Sequence, residues 1–296
     1  MGFAACGFAA ADDFPDYPKA LDAIVGRFPE TGGFYAPMYR RASVRNNFPW
    51  AKSLVVCLRF YGKYLVPPGI SGCIGKNYLF DSRVAPNPDY SVTRDFTGYL
   101  RSLGMKVRKG GLPDRLAAAR AGVASVARNN FSYSQGLGTW FNIVSYAVDG
   151  EFEPDKPLPE APCPEGCDAC IKACPTGALT GPYTMRMDRC VAFLTYGATL
   201  PLDPELARRM GRWIYGCDAC QEACPLNRGI WQEKEGLGYL DEISWLLNPG
   251  TLSVMDEEVY RKAIQPLFPY IPADNPGRWR YNAGRALAEM SKQDKS

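Results

Sequence analysis

The chain has no histidine among its 296 residues. That absence excludes Ser-His-Asp and Cys-His catalysis, His-ligated zinc, haem on a proximal histidine, and Rieske centres. Any general acid or base must then be Asp, Glu, Lys, Tyr, Cys or bound water. The sequence also lacks an uninterrupted apolar run of about 18 residues, so no membrane span is expected. Net charge is small: 34 Lys and Arg against 31 Asp and Glu leave +3, too little to argue for a nucleic-acid or membrane surface. The opening Met1-Gly2-Phe3-Ala4-Ala5-Cys6 has no basic stretch of a secretory signal, and Cys6 stands where myristoylation needs Ser or Thr. A reducing cytoplasm is the expected compartment.

What the chain has in excess is cysteine, eleven in all. In a reducing compartment such cysteines read as metal ligands rather than disulfides. Eight are crowded together. One unit is Cys163-x3-Cys167-x2-Cys170-x3-Cys174-Pro175, and a second is Cys217-x2-Cys220-x3-Cys224-Pro225, with Cys190 between them. Both contain the block Cys-Asp-Ala-Cys-x-x-Ala-Cys-Pro. A cubane [4Fe–4S] cluster needs one thiolate at each of four irons, and a tight turn with a cysteine every third residue or so reaches three corners. The cysteine before proline then points away to the other cluster, as in two-cluster ferredoxins. The spacing therefore predicts one cluster on Cys163, Cys167, Cys170 and Cys224, and another on Cys174, Cys190, Cys217 and Cys220. The rival, a pair of structural zinc sites, normally uses separated Cys-x2-Cys pairs without the Cys-Pro ending. Cys6, Cys57 and Cys73 fit neither set. Cys57, inside an apolar run, reads as a small buried hydrophobe, and Cys73 remains open to a redox or ligand role.

The class expected is α+β, in three regions: an N-terminal α/β domain over 1–155, a ferredoxin-like double-cluster domain over 156–230, and a short C-terminal helical tail over 231–296. Ser53 to Tyr61, Met105 to Arg108 and Thr139 to Val148 read as strands, and Thr93 to Leu103 and Leu112 to Ala127 as helices. Tyr61 to Tyr90 reads as a long Gly/Pro-rich loop carrying aromatics, either covering a cofactor or packed on the surface. Residues 151–162 read as a proline-punctuated linker.

With the cysteines placed, a resemblance becomes specific. From about residue 50 onward the chain resembles the epoxyqueuosine reductase family and, through it, the corrinoid-dependent reductive dehalogenases. It is carried by Arg189-Cys190-Val191-Ala192-Phe193-Leu194-Thr195-Tyr196, by Ile214-Tyr215-Gly216-Cys217-Asp218-Ala219-Cys220-Gln221, by Cys224-Pro225-Leu226-Asn227-Arg228, by Arg280-Tyr281-Asn282-Ala283-Gly284-Arg285-Ala286-Leu287, and by Leu112-Pro113-Asp114-Arg115-Leu116-Ala117-Ala118 with Ala121-Gly122. The resemblance implies a cobalamin in the N-terminal domain, reduced through the two clusters by a donor such as ferredoxin or flavodoxin. Arg128, Asn129 and Asn130 would then line the corrin, with Tyr133, Gly136 and Gly138 beneath it.

The departures from the family shape the functional expectation. The family's Asp-Tyr-His element is missing, and its proton-donating aspartate falls at about Arg108. The C-terminal region is shorter than the tRNA-binding helical repeats of longer members. The sequence therefore reads as a divergent paralogue: a cobalamin-dependent reductase of a small-molecule or corrinoid substrate, with tRNA not expected as a partner. Tyr61, Tyr64, Tyr78, Lys63 and Lys76 are candidate proton donors, and Arg108 with Lys109 suits an anionic ligand. The alternatives are a non-catalytic electron carrier or corrinoid activator, and tRNA epoxyqueuosine reduction with relocated catalytic groups. In the last, Arg278, Arg280 and Arg285 are candidates to touch phosphate.

Overall fold

The computed structural model describes residues 2–159 and 161–293. Met1 of the opening run, Glu160 of the expected linker and residues 294–296 of the expected tail lie outside them. Four strands, β1 (Ala5–Ala10), β2 (Ser53–Phe60), β3 (Val107–Lys109) and β4 (Phe141–Val148), form an antiparallel sheet in the order β1-β2-β4-β3, and helix α1 (Asp16–Arg27) follows β1. β2 is Ser-Leu-Val-Val-Cys-Leu-Arg-Phe, apolar on both faces because both faces are covered. Leu54, Val56 and Leu58 turn toward helix α3 (Asp114–Arg120), whose Ala117 and Ala118 allow close approach. Val55 and Cys57, with Val144, Tyr146 and Val148 of β4, turn toward helix α2 (Pro88–Ser102) through Leu100 and Phe96.

Several expected elements have different ends, each for a local reason. α2 starts five residues before Thr93, because Asn87 caps it by accepting a hydrogen bond from the Asp89 N–H at 2.9 Å. The helix expected over Leu112 to Ala127 contracts to Asp114–Arg120. Gly122 turns the chain there at φ +69°, and a side chain at that position would meet the Lys156 carbonyl at 2.7 Å. β1 was not foreseen. Its Ala-Cys-Gly-Phe-Ala-Ala run is too small to look like a strand, yet small residues are what the site needs. A Cβ at Gly7 would stand 2.1 Å from the Ala121 carbonyl. The expected linker lies along this edge strand, with Phe8 N–H donating to Asp155 Oδ2 at 2.7 Å and Asp155 N–H to Phe8 O at 2.9 Å.

Of the segment Tyr61 to Tyr90, residues 61–87 form a packed loop with one helical turn at Lys76–Leu79, and the rest opens α2. Tyr61, Tyr64, Ile70, Cys73, Ile74, Leu79 and Phe80 enter the largest core cluster, together with Leu240, Leu247, Leu252, Tyr260, Phe268 and Trp279 from the C-terminal region. Helix α4 (Pro276–Gln293) closes this core, and Trp279 stacks on Tyr215 at 4.9 Å between centroids. The C-terminal helices are thus part of a core rather than an appendage. Their arginines are committed to backbone carbonyls: Arg280 to Met255 at 2.8 Å, Arg285 to Gly211 at 2.6 Å and to Trp213, and Arg278 to Leu194 and Ala198. The phosphate contacts anticipated for these three arginines are therefore not what their side chains do.

Arg59 and Asp89 form a buried ion pair between β2 and α2, with side chains only 5% and 1% exposed. Tyr64 adds a hydrogen bond to Asp89 at 3.1 Å. Removing one partner leaves the other charge desolvated and alone, at a cost of about 3–5 kcal/mol. Asp89→Ala should lower the denaturation midpoint of the anaerobic, cluster-loaded protein accordingly. A midpoint shift worth less than about 1 kcal/mol would show that the pair contributes little.

Candidate metal centre

The two cysteine blocks fold alike. After Asp168 and Asp218 the chain makes one helical turn, Ala169–Lys172 and Ala219–Glu222, and each turn ends at a Cys-Pro. Cys163, Cys167 and Cys170 of the first unit share a hollow with Cys224 from the far end of the second, closed by Ala127, Arg128, Asn129 and Leu226. The other four also neighbour one another. Burial raises the Cys190, Cys217 and Cys220 thiols, and the Cys190 and Cys174 sulfurs raise that of Cys220 further. Backbone N–H groups already point at two of these sulfurs, Ala178 to Cys174 at 3.2 Å and Ala219 to Cys217 at 3.4 Å. Such bonds favour thiolate and tune a bound cluster.

The chemistry of the donor set fits two cubanes. Among the described residues no three or more Cys, Asp or Glu converge closely enough to hold a single ion. A structural zinc would draw four sulfurs to about 2.3 Å from one point, whereas here the first four surround a space. Cys73, once a redox candidate, is buried and packed. It takes a weak hydrogen bond from Arg212 at 3.8 Å, and its carbonyl accepts from Ile214 at 2.7 Å.

The residues expected against a corrin mostly face the cysteine units. Arg128 donates to the Cys167 carbonyl at 2.9 Å and Asn129 to that of Cys220 at 3.3 Å, while Asn129 Oδ1 accepts from Phe131 N–H at 3.1 Å. Asn130 holds a left-handed φ of 65°. Tyr133 pairs with Ser125 in a two-stranded ribbon, and Gly136 is exposed at a turn. Gly138 leaves room for Asn227, whose Oδ1 would lie 2.3 Å from any Cβ there. This strap ties the sheet domain to both units.

Asn227 is its central bolt. It accepts from Thr139 N–H at 2.8 Å and donates to Thr139 Oγ1 at 2.8 Å and Gln221 O at 2.7 Å. Asn227→Ala would leave the buried Thr139 N–H without its acceptor, at about 1–3 kcal/mol. It should speed loss of the iron chromophore under chelator, and an unchanged loss rate would remove the bolt from this account.

The candidate proton donors from the aromatic loop are engaged. Tyr61 and Tyr78 are pushed up by burial, and Tyr64 serves Asp89. Lys63 pairs with Glu235 at 2.8 Å and Lys76 with Glu222 at 2.6 Å. Arg108 and Lys109 are exposed on β3, where Arg108 opposes Ala147 of β4.

Ser145 lies two residues before Ala147, on the same sheet face, and its hydroxyl donates to Asp114 Oδ1. Burial raises the Asp114 carboxyl, against the hydrogen bond from Ser145 and the pull of Arg41, Arg115 and Arg83. Arg115 also acts on Cys190 and on Tyr35. Tyr35, pushed to about 12 by burial, donates to the Met185 carbonyl at 3.1 Å, and Phe34 meets Phe193 edge-on at 5.4 Å. The segment carrying Phe34, Tyr35 and Arg41 was not anticipated. Its only sequence signal was aromatics after Gly32-Gly33.

Residues 163–227 match the 4Fe-4S double cluster binding domain. Epoxyqueuosine reductase of Staphylococcus aureus is 31% identical over 251 residues, covering 80% of this chain and 64% of that protein. The chain is epoxyqueuosine reductase-like. It spans just under two thirds of the length of that relative. The structure of epoxyqueuosine reductase from Streptococcus thermophilus superposes with a TM-score of 0.79 at 24% identity, covering 98% of this chain and 78% of that one. A structure of epoxyqueuosine reductase with a tRNA-Tyr epoxyqueuosine-modified stem loop superposes with a TM-score of 0.76 at 25% identity, with the same coverage. The expectation that tRNA is no partner therefore loses its support, since a relative of the same fold holds one.

Proposed function

We propose that this chain is an iron–sulfur reductase that passes electrons through two [4Fe–4S] clusters to a cobalamin, with Asp114 giving the proton that the reduced substrate needs. What supports the relay is the interlock of the cysteine units. Cys224 shares its hollow with Cys163, Cys167 and Cys170, and Cys174 neighbours Cys190 and Cys220. Ligands exchanged in this way set two clusters side by side for electron hopping. Cys163, Cys167, Cys170 and Cys224 hold one, and Cys174, Cys190, Cys217 and Cys220 the other. The donor is a small carrier such as ferredoxin or flavodoxin.

The side chains of Arg128 and Asn129 are committed to the cysteine loops, so they are poor contacts for a corrin. Arg41 and Arg115, exposed around Asp114, suit its amide and phosphate groups better. Bound there, cobalamin would supply a strongly reducing, nucleophilic cobalt. The chain's own residues do the rest. Ser145 fixes one carboxylate oxygen of Asp114, burial raises that carboxyl and so favours its protonated form, and Tyr35 closes the wall beside Cys190. A carbon–oxygen bond broken by reduction needs such an acid, because the departing oxygen must be protonated. An arginine at position 108 cannot serve, being effectively always protonated.

The tRNA stem loop bound by the structural relative makes epoxyqueuosine-modified tRNA the first substrate to assay. A bare electron carrier would have no use for the half-buried acid of Asp114. Titrating the anaerobic, reconstituted protein with cobalamin separates the two readings. Shifted corrin bands with co-migration on gel filtration are expected, and an unchanged spectrum at high protein concentration leaves only the carrier.

A further inference from the structure

Cys6 and Cys57 belong to neither cysteine set, and they face each other. β1 and β2 pair with Cys6 directly opposite Cys57. The hydrogen-bond phase fixes the kind of pair. Ala11 N–H donates to Lys52 O at 3.1 Å across the β1–β2 seam, and Tyr61 N–H donates to Trp140 O at 3.0 Å across the β2–β4 seam. Even-numbered residues of β2 thus turn their backbone groups toward β1, and Cys57 turns its own toward β4. Cys6 and Cys57 are therefore a non-hydrogen-bonded pair, the kind whose Cα atoms stand about 4.5 Å apart with side chains closest. That spacing lies inside the roughly 4.4–6.8 Å window of a disulfide.

The two sulfurs are not equivalent. Cys6 is exposed on the edge strand, whereas Cys57 is fully buried among Val55, Val144 and Tyr146. The Cys57 thiol donates a hydrogen bond to the Cys6 sulfur, which favours thiolate at Cys6 and holds the proton on Cys57. An external reagent thus meets an activated thiol at Cys6, with a second thiol behind it. Both lie on the α2 side of the sheet, opposite the face that carries Asp114 and Ser145.

We propose that Cys6 and Cys57 form a redox-active dithiol, separate from the clusters, that closes to a cross-strand disulfide by exchange with a low-molecular-weight disulfide. The Cys6 sulfur attacks one sulfur of the external disulfide, breaking its S–S bond and expelling a thiolate that takes up a proton. Cys57 then loses its proton and attacks the Cys6 sulfur of the mixed disulfide, expelling the second thiol. The two cysteines give up two electrons and two protons, and the external disulfide gains both as two thiols. The crosslink fastens edge strand β1 to the centre of the sheet.

The test uses cluster-loaded protein held anaerobically with oxidised glutathione, followed by alkylation, mass measurement and peptide mapping. The wild type should take up two fewer alkyl groups than untreated protein, its two thiol hydrogens having been lost, and yield a Cys6–Cys57 linked peptide with unchanged cluster absorption. Cys57→Ser should trap a stable glutathione adduct on Cys6, and Cys6→Ser should leave Cys57 unreacted. Cluster absorption in each variant reports that it has folded. The proposal is overturned if the wild type keeps both thiols, stops at the glutathione adduct, or links Cys6 to a second chain.

Discussion

Replacing Cys174 by serine is expected to cost the cluster whose other ligands lie downstream, at Cys190, Cys217 and Cys220. Iron should fall from about eight to about four per chain, because each cubane takes four cysteines. The surviving cluster of Cys174→Ser should give the same electron paramagnetic signature as that of Cys190→Ser. Cys224→Ser should pair in the same way with Cys163→Ser. The expectation rests on Cys224 sharing a hollow with Cys163, Cys167 and Cys170, and on Cys174 being among the charges that Cys190 and Cys220 feel. If Cys174→Ser and Cys163→Ser leave the same surviving signature, each unit binds its own cluster and the crossed assignment fails.

Asp114→Asn should lower turnover by about 10²–10⁴-fold, the usual contribution of a positioned general acid, while leaving iron content intact. The pH dependence follows from the direction of the shift. Burial raises the Asp114 carboxyl, and the acid works only while protonated. Activity should therefore hold on the acidic side and fall as pH rises through this elevated value. The Ser145 hydroxyl favours the carboxylate and so works against burial. Ser145→Ala should move the falling limb to higher pH, a displacement that merely structural damage would not produce. The assay is reduction of an epoxyqueuosine-modified stem loop with demonstrably reduced clusters and added cobalamin. Undiminished turnover in Asp114→Asn would remove the acid role, and no turnover in the wild type would remove this substrate.

The cysteine spacing was legible because ligand sets are local: two short blocks of like sequence fold into like turns, whatever surrounds them. β2 and β4 were legible for a similar reason, as apolar runs long enough to be buried strands. β1 was not. Its strand state depends on Ala121 pressing against Gly7 and on the Asp155 segment covering its edge, which are contacts over more than a hundred residues. The aromatic loop was ambiguous because its tyrosines suit a cofactor or a core equally well. Only the C-terminal helices, by supplying Phe268 and Trp279, decide for the core.

The sequence by itself determined the metal chemistry: no histidine, and eight cysteines, seven of them in two similar units with Cys190 between. It also carried the family resemblance, since that rests on contiguous motifs. Tertiary structure decided which groups are free to act. Arg128 and Asn129 turn out to clamp the cysteine loops, and Arg278 and Arg285 to hold carbonyls. Asp114 becomes a half-buried acid through packing against the distant strand β4, whose Ser145 hydroxyl donates to it. Cys6 and Cys57 become a pair only through strand register. The physical reason is the same in each case. A side chain's chemistry depends on its desolvation and its partners, and both are fixed by residues far away in the chain.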